Sequence, residues 1–151
     1  MDLERLTFAV APVVAAAGLG GLASRDAPET YRRLDKPTWA PPASAFGPVW
    51  TALYAGTAVA GWLLYPRASR GTKGLHLTQL ALNGAWPMAF FGVRDKRSSL
   101  AVIAALDAVL ATEIAVVRRD TPVAAALLSP YLAWTGFATA VNAAVSEPTE
   151  A

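Results

Sequence analysis

Aromatic side chains one helical turn apart can stack on a flat conjugated ligand, and this sequence repeats that spacing three times. Trp50 and Tyr54 are four residues apart, so on a helix they share a face. Asn83, Trp86, Pro87 and Phe90 fall at i, i+3, i+4 and i+7, and Tyr131, Trp134, Ala138 and Asn142 form a second one-face set on a later segment. Such faces offer stacking worth about 0.5–1.5 kcal/mol per aromatic pair beyond area burial. The competing reading is ordinary core packing, which aromatic faces serve more often than cofactor binding. Hydrolytic and metal chemistry have little to build on. The chain has no cysteine and one histidine, His76, with no ligand partner at metal spacing. No metal or resident cofactor is expected. Asp107 and Glu113 are six apart and do not share a helical face well. Acids inside a membrane span are functional candidates by default, and a buried hydrogen bond holding helices together is the alternative.

The elements that position these residues follow from the charges. Thirteen basic and eleven acidic side chains give a net charge of +2, and 54% of the residues are hydrophobic. No Asp, Glu, Lys or Arg lies between Arg5 and Arg25, Lys36 and Arg67, Lys73 and Arg94, or Asp120 and Glu147, and Arg97 to Arg118 encloses only Asp107 and Glu113. A helix needs about 20 mostly apolar residues to cross a hydrocarbon core about 30 Å thick. The pattern predicts an all-α membrane protein. It is a single domain over 1–151, a bundle of five transmembrane helices at about 6–24, 46–65, 75–93, 98–117 and 122–145, with a long ordered first loop. A cleaved signal peptide is the alternative for the first segment, but its apolar run is long for one. Ala17 and Gly21 on that segment have the four-residue spacing that lets helix backbones approach. Pro48 suits a first turn, and Thr121 before Pro122 is a candidate N-cap. Trp62 and Tyr65 read as interfacial belt residues. Lys and Arg divide six against seven between the two sides, which fixes no orientation. The tail after Val145 is short and acidic.

The first loop reads Tyr31-Arg32-Arg33-Leu34-Asp35-Lys36-Pro37-Thr38-Trp39-Ala40-Pro41-Pro42. Its three prolines favour an extended, polyproline-like path, and Pro37 biases Lys36 away from helix. A stiff loop carrying Tyr31 and Trp39 reads equally as a lid over a cavity or as an interfacial anchor. Arg32 and Arg33 reach headgroup level, where they would meet lipid or a ligand carboxylate.

Three segments resemble one family: YRRLDKPTWAPPASAFGPVWTALY from Tyr31, QLALNGAWPMAFFG over 79–92, and LLSPYLAWTGFATAVN over 127–142. In this order they are similar to the TspO/MBR family, and the similarity extends over nearly the whole chain. The segments at 6–24 and 98–117 match in character, with Asp107 standing where the family carries an acid. The resemblance implies a homodimeric bundle with a ligand cavity under the first loop. It further implies binding of porphyrins such as protoporphyrin IX, of isoquinoline and benzodiazepine-type drugs, and in some members of cholesterol. Carried over by motif, ligand-binding positions are Tyr31, Trp39, Pro41, Phe46, Gly47, Trp50, Asn83, Trp86, Trp134 and Ala138. The end of the last helix, from Ala140 to Glu147, lacks the Tyr and the basic residue of the animal cholesterol motif, so cholesterol is not assigned.

Three functions follow as expectations. One is a tetrapyrrole-binding sensor or regulator of porphyrin metabolism or stress response. Another is light-dependent degradation of bound protoporphyrin, with Trp50 and Trp134 as the reacting side chains. The third is transport of porphyrins or other amphipathic molecules, which the lack of an inverted repeat disfavours. The expected setting is a bacterial cell-envelope membrane, with the lipid bilayer and no nucleic acid as partner.

Overall fold

Asp2 opens the first helix, its carboxylate accepting a hydrogen bond from the Arg5 amide at 3.1 Å. The computed structural model describes residues 2–145; the acidic tail lies outside them. Six α-helices follow in order, with no strand among the described residues: α1 (Leu3–Ala23), α2 (Ala27–Arg33), α3 (Phe46–Leu64), α4 (Arg70–Pro87), α5 (Lys96–Val117) and α6 (Pro122–Ala144). A 3₁₀ turn, Ala43–Ala45, precedes α3, and a π-helical stretch, Met88–Val93, continues α4. Three helices, α1, α5 and α6, are long and apolar enough to cross a membrane. In α3, Trp, Tyr, Thr and Gly dilute the aliphatic content, and α4 carries a buried polar face.

Helix α1 packs on α3 and α4, α4 on α5, α5 on α6, and α6 on α3. The main core joins Ala60 and Leu64 of α3, Leu106 and Leu110 of α5, and Leu128 and Tyr131 of α6. Small residues let α1 approach its neighbours: a Cβ on Gly84 would lie 3.5 Å from Ala16 Cα, and one on Gly61 3.3 Å from Ala9 Cα. The packed stripe of α1 is Ala9, Val13, Ala16 and Gly20, one position off the Ala17/Gly21 pair expected from spacing. On so Ala- and Gly-rich a helix, two adjacent stripes satisfy the same spacing.

Several boundaries differ from expectation for local reasons. The first loop is not wholly extended, because Pro28 in the first turn and Arg32 and Arg33 in the last support α2. Helix α4 starts five residues earlier than predicted. The Ser69 hydroxyl accepts from the Thr72 amide at 3.1 Å and caps it, so Arg70 and Lys73 lie on the helix rather than in a connection. Asp95 caps α5 through the amide of Arg97 at 3.1 Å, so the turn after the π-helical stretch shortens to Arg94 and Asp95. Thr121 stands at the N-cap position of α6, but its side chain makes no capping bond; Pro122 already removes one donor that would need it. The π-helical stretch follows directly on Pro87, whose ring has no N–H to give and crowds the preceding turn.

Candidate functional site

The buried face of α4 is the axis of the site. Thr72, His76, Gln79, Asn83 and Trp86 recur at four- and three-residue steps, and all are buried. Buried polar groups are costly unless paired, and at the Asn83 end of this face they are. The Asn83 carboxamide accepts from the Tyr54 hydroxyl at 2.8 Å and donates to the Tyr131 hydroxyl at 2.6 Å, tying α3, α4 and α6 together. The Trp86 indole donates to Asn142 Oδ1 at 2.9 Å, and Asn142 donates to the Ser99 hydroxyl at 3.1 Å. Each such bond contributes about 0.5–1.5 kcal/mol net, and more is lost if one partner is left alone. Both carboxamides thus point into the interior, as burial in an apolar surround demands.

Above this face lies a cavity of about 510 Å³, within the range of about 300–1,000 Å³ typical of small-molecule sites. Tyr31, Phe46, Trp50, Tyr54, Trp86 and Phe91 supply its aromatic wall. Gly47 and Asn83 also line it, and α1 closes one side with Ala17, Gly20 and Gly21, followed by its C-cap Ser24. A Cβ on Gly21 or Gly47 would meet nothing within 4 Å; these positions face open space. A crevice of about 20 Å³ adjoins it and shares Tyr31, Phe46, Trp86 and Phe91 as walls; Pro41, Trp134 and Ala138 lie there.

Helix α2 and the segment after it form the cover. Tyr31 is buried against Phe46, ring centroids 5.2 Å apart, and its hydroxyl donates to the Pro41 carbonyl at 2.7 Å. Burial pushes its phenol above the ordinary value, so it remains a neutral donor. Lys36 donates to the carbonyls of Tyr31 at 2.5 Å and Leu34 at 3.0 Å, fixing the C-terminal end of α2. Its ammonium also lies 4.7 Å from the Tyr31 ring centroid. Arg33 pairs with Glu29 on the outer side of α2.

Of the ten positions carried over by motif, Tyr31, Phe46, Gly47, Trp50, Asn83 and Trp86 meet at the main cavity. Pro41, Trp134 and Ala138 lie at the crevice. Trp39 lines neither; it is 50% exposed and packs on Phe137 at 5.9 Å. The aromatic face of the last helix divides between the core and the crevice. Tyr131 is core, packed on Trp50 at 6.0 Å, and Trp134 meets Phe46 at 5.8 Å. The open wall comes from α1, whose small residues read in the sequence as packing positions. Tyr54, visible in the sequence only as a neighbour of Trp50, is the hydroxyl that joins the cavity wall to Asn83.

The side chains of His76, Asp107, Trp62 and Tyr65 find their partners away from the cavity. His76, nearly two turns inside α4, is paired through Nδ1 with Glu113 Oε1 at 2.6 Å. Asp107 accepts from the Thr139 hydroxyl at 2.6 Å, so the two acids do serve different faces. Trp62 and Tyr65, at the end of α3, gather charged groups. The Arg5 guanidinium lies 4.0 Å from the Trp62 ring centroid and the Lys73 ammonium 3.7 Å from that of Tyr65.

Comparison with known proteins agrees with this geometry. The TspO/MBR family model matches residues 8–147. The chain is 37% identical to the human translocator protein over 118 residues, covering 74% of this chain and 70% of the human one. It is 33% identical to the tryptophan-rich protein TspO of Archaeoglobus fulgidus, over 96% and 97% of the two chains. Identity to the tryptophan-rich sensory protein of Cereibacter sphaeroides is 36%, over 91% and 85%. A match of this extent, on a helical chain with membrane-spanning segments, establishes that the protein is a membrane protein of the TspO/MBR family.

Proposed function

We propose that the protein binds a tetrapyrrole of the protoporphyrin IX type in the cavity under α2 and acts as a sensor or regulator of porphyrin metabolism or stress response. In this reading all five long helices cross the bilayer, α3 and α4 shielding their polar faces within the bundle, and two copies associate as a homodimer. The observation that carries it is the aromatic cavity. Its volume suits a small molecule, its walls are mostly apolar, and Trp50 and Trp86 present indole rings to it. A flat π-system can stack on such walls, while the small residues of α1 leave width for it. The name "sensory protein" borne by the Cereibacter relative accords with this role.

Light-dependent degradation of the bound porphyrin is the second reading, and the place of Trp50 in the cavity wall favours it. Trp134 stands in the adjoining crevice with its indole N–H unpartnered. The name "translocator" borne by the human relative points instead to transport, which uptake into proteoliposomes would measure.

Titration of the purified protein with protoporphyrin IX, followed by tryptophan emission in the dark and porphyrin absorbance under light, separates the first two. Binding gives saturable quenching with stable porphyrin absorbance. Degradation adds a light-dependent loss of absorbance that falls at least several-fold in Trp50→Phe or Trp134→Phe. Absence of saturable quenching contradicts both.

A further inference from the structure

Away from the cavity, the buried face of α4 carries a second polar cluster for which ligand binding has no use. His76 and Glu113 are both 0% exposed, with Nδ1 and Oε1 2.6 Å apart. Gln79, three residues further along the same face, is also 0% exposed. His76 Nε2, Glu113 Oε2 and both carboxamide atoms of Gln79 have no hydrogen-bond partner. Native interiors rarely leave so many buried polar atoms unpaired, and each calls for an explanation.

The surroundings are apolar. Phe8 of α1 stacks on the imidazole at 5.2 Å, and Gly61 of α3 faces Nε2. Several other titratable groups on the surrounding helices are engaged elsewhere, and Arg70 of α4 and Lys96 and Arg97 of α5 lie in the first turns of their helices. On α1, Glu4 accepts from the Tyr65 hydroxyl and Arg5 donates to the Trp62 carbonyl. Lys73 of α4 lies over the Tyr65 ring, and Asp107 of α5 is bound by Thr139. Tyr54 of α3 and Tyr131 of α6 are held by Asn83, and neither helix contains an Asp, Glu, Lys or Arg.

In such a setting the number of protons on the pair decides its cost. With one proton the pair is imidazolium and carboxylate, or imidazole and carboxylic acid; the two forms differ only in whether Nδ1 or Oε1 holds it, and both are neutral overall. A second proton leaves a buried positive charge, and none leaves a buried negative one, each without a counter-ion. We propose that His76 and Glu113 form an internal proton-binding site that holds a single proton between Nδ1 and Oε1.

His76 is the single histidine of the chain, so histidine labelled with ¹⁵N reports this site alone. Spectra of the full-length protein are recorded in phosphatidylcholine nanodiscs near neutral pH. The expected result is a far-downfield Nδ1 proton, as a short buried bond to Glu113 gives. In Glu113→Gln that proton moves upfield, because the acceptor becomes a neutral amide. Absence of the downfield Nδ1 proton in wild type overturns the proposal even if the variant does not fold. Identical imidazole shifts in wild type and Glu113→Gln also overturn it.

Discussion

Gly61 shows how narrowly single residues fit in this structure. A Cβ there would come within 2.9 Å of His76 Nε2 and 3.3 Å of Ala9 Cα. One neighbour is a packed, paired imidazole and the other is backbone, so neither yields easily. Gly61→Ala should therefore destabilise the protein by about 1–3 kcal/mol, the usual cost of overpacking a tight core, measured as a lower thermal midpoint in detergent. At this scale the sequence was uneven in what it disclosed. The spacing of Trp50 with Tyr54, and of Asn83 with Trp86, disclosed shared helix faces, while their place at a ligand cavity followed from the family resemblance and not from the period. The His76–Glu113 pair was not legible, because nothing in a linear spacing of 37 residues says that two helices bring them to 2.6 Å. A lone acid in an apolar span signalled only that some partner must exist.

Among the elements, the caps carry predictions of their own. Ser69 starts α4 five residues before the apolar pattern does, and Ser69→Ala should cost about 1 kcal/mol, measurable as a lower midpoint and faster amide exchange in the first turn of α4. The sequence hid this start because Arg70, Lys73 and Gly74 read as a polar connection, whereas the helix keeps Thr72 and His76 inside. Asp95 caps α5, and its carboxyl is held below the usual carboxylate range, first by the Ser98 hydroxyl and then by the Arg97 amide. A depressed native value means that the cap's contribution is present above the unfolded value of about 3.9 and is lost as the pH falls through the lower native value. The difference in thermal midpoint between wild type and Asp95→Ala should thus be widest near neutrality and narrow below about pH 4. Helix α2 was missed because three prolines dominate the reading of residues 37–42, while the helix lies just before them, opened by Pro28 and closed by Lys36 on its last carbonyls.

At the scale of the whole molecule, five long helical segments could be read from charge gaps alone, and three of them, α1, α5 and α6, have the length and apolarity that a bilayer demands. The arrangement of those segments around the cavity could not. Both the packed stripe and the cavity face of α1 consist of small residues, so composition does not distinguish a close contact from an open wall. That distinction gives the most direct test of the account. Gly21 lines the cavity, and a side chain added there meets no atom within 4 Å of its Cβ. Gly21→Leu should fill the space without disturbing the fold. Protoporphyrin IX titrated into wild type in the dark should quench tryptophan emission saturably, and Gly21→Leu, with unchanged helical content and thermal midpoint, should bind at least tenfold more weakly. No saturable quenching of the wild type, or equal affinity in the two proteins, would contradict the assignment of this cavity as the tetrapyrrole site.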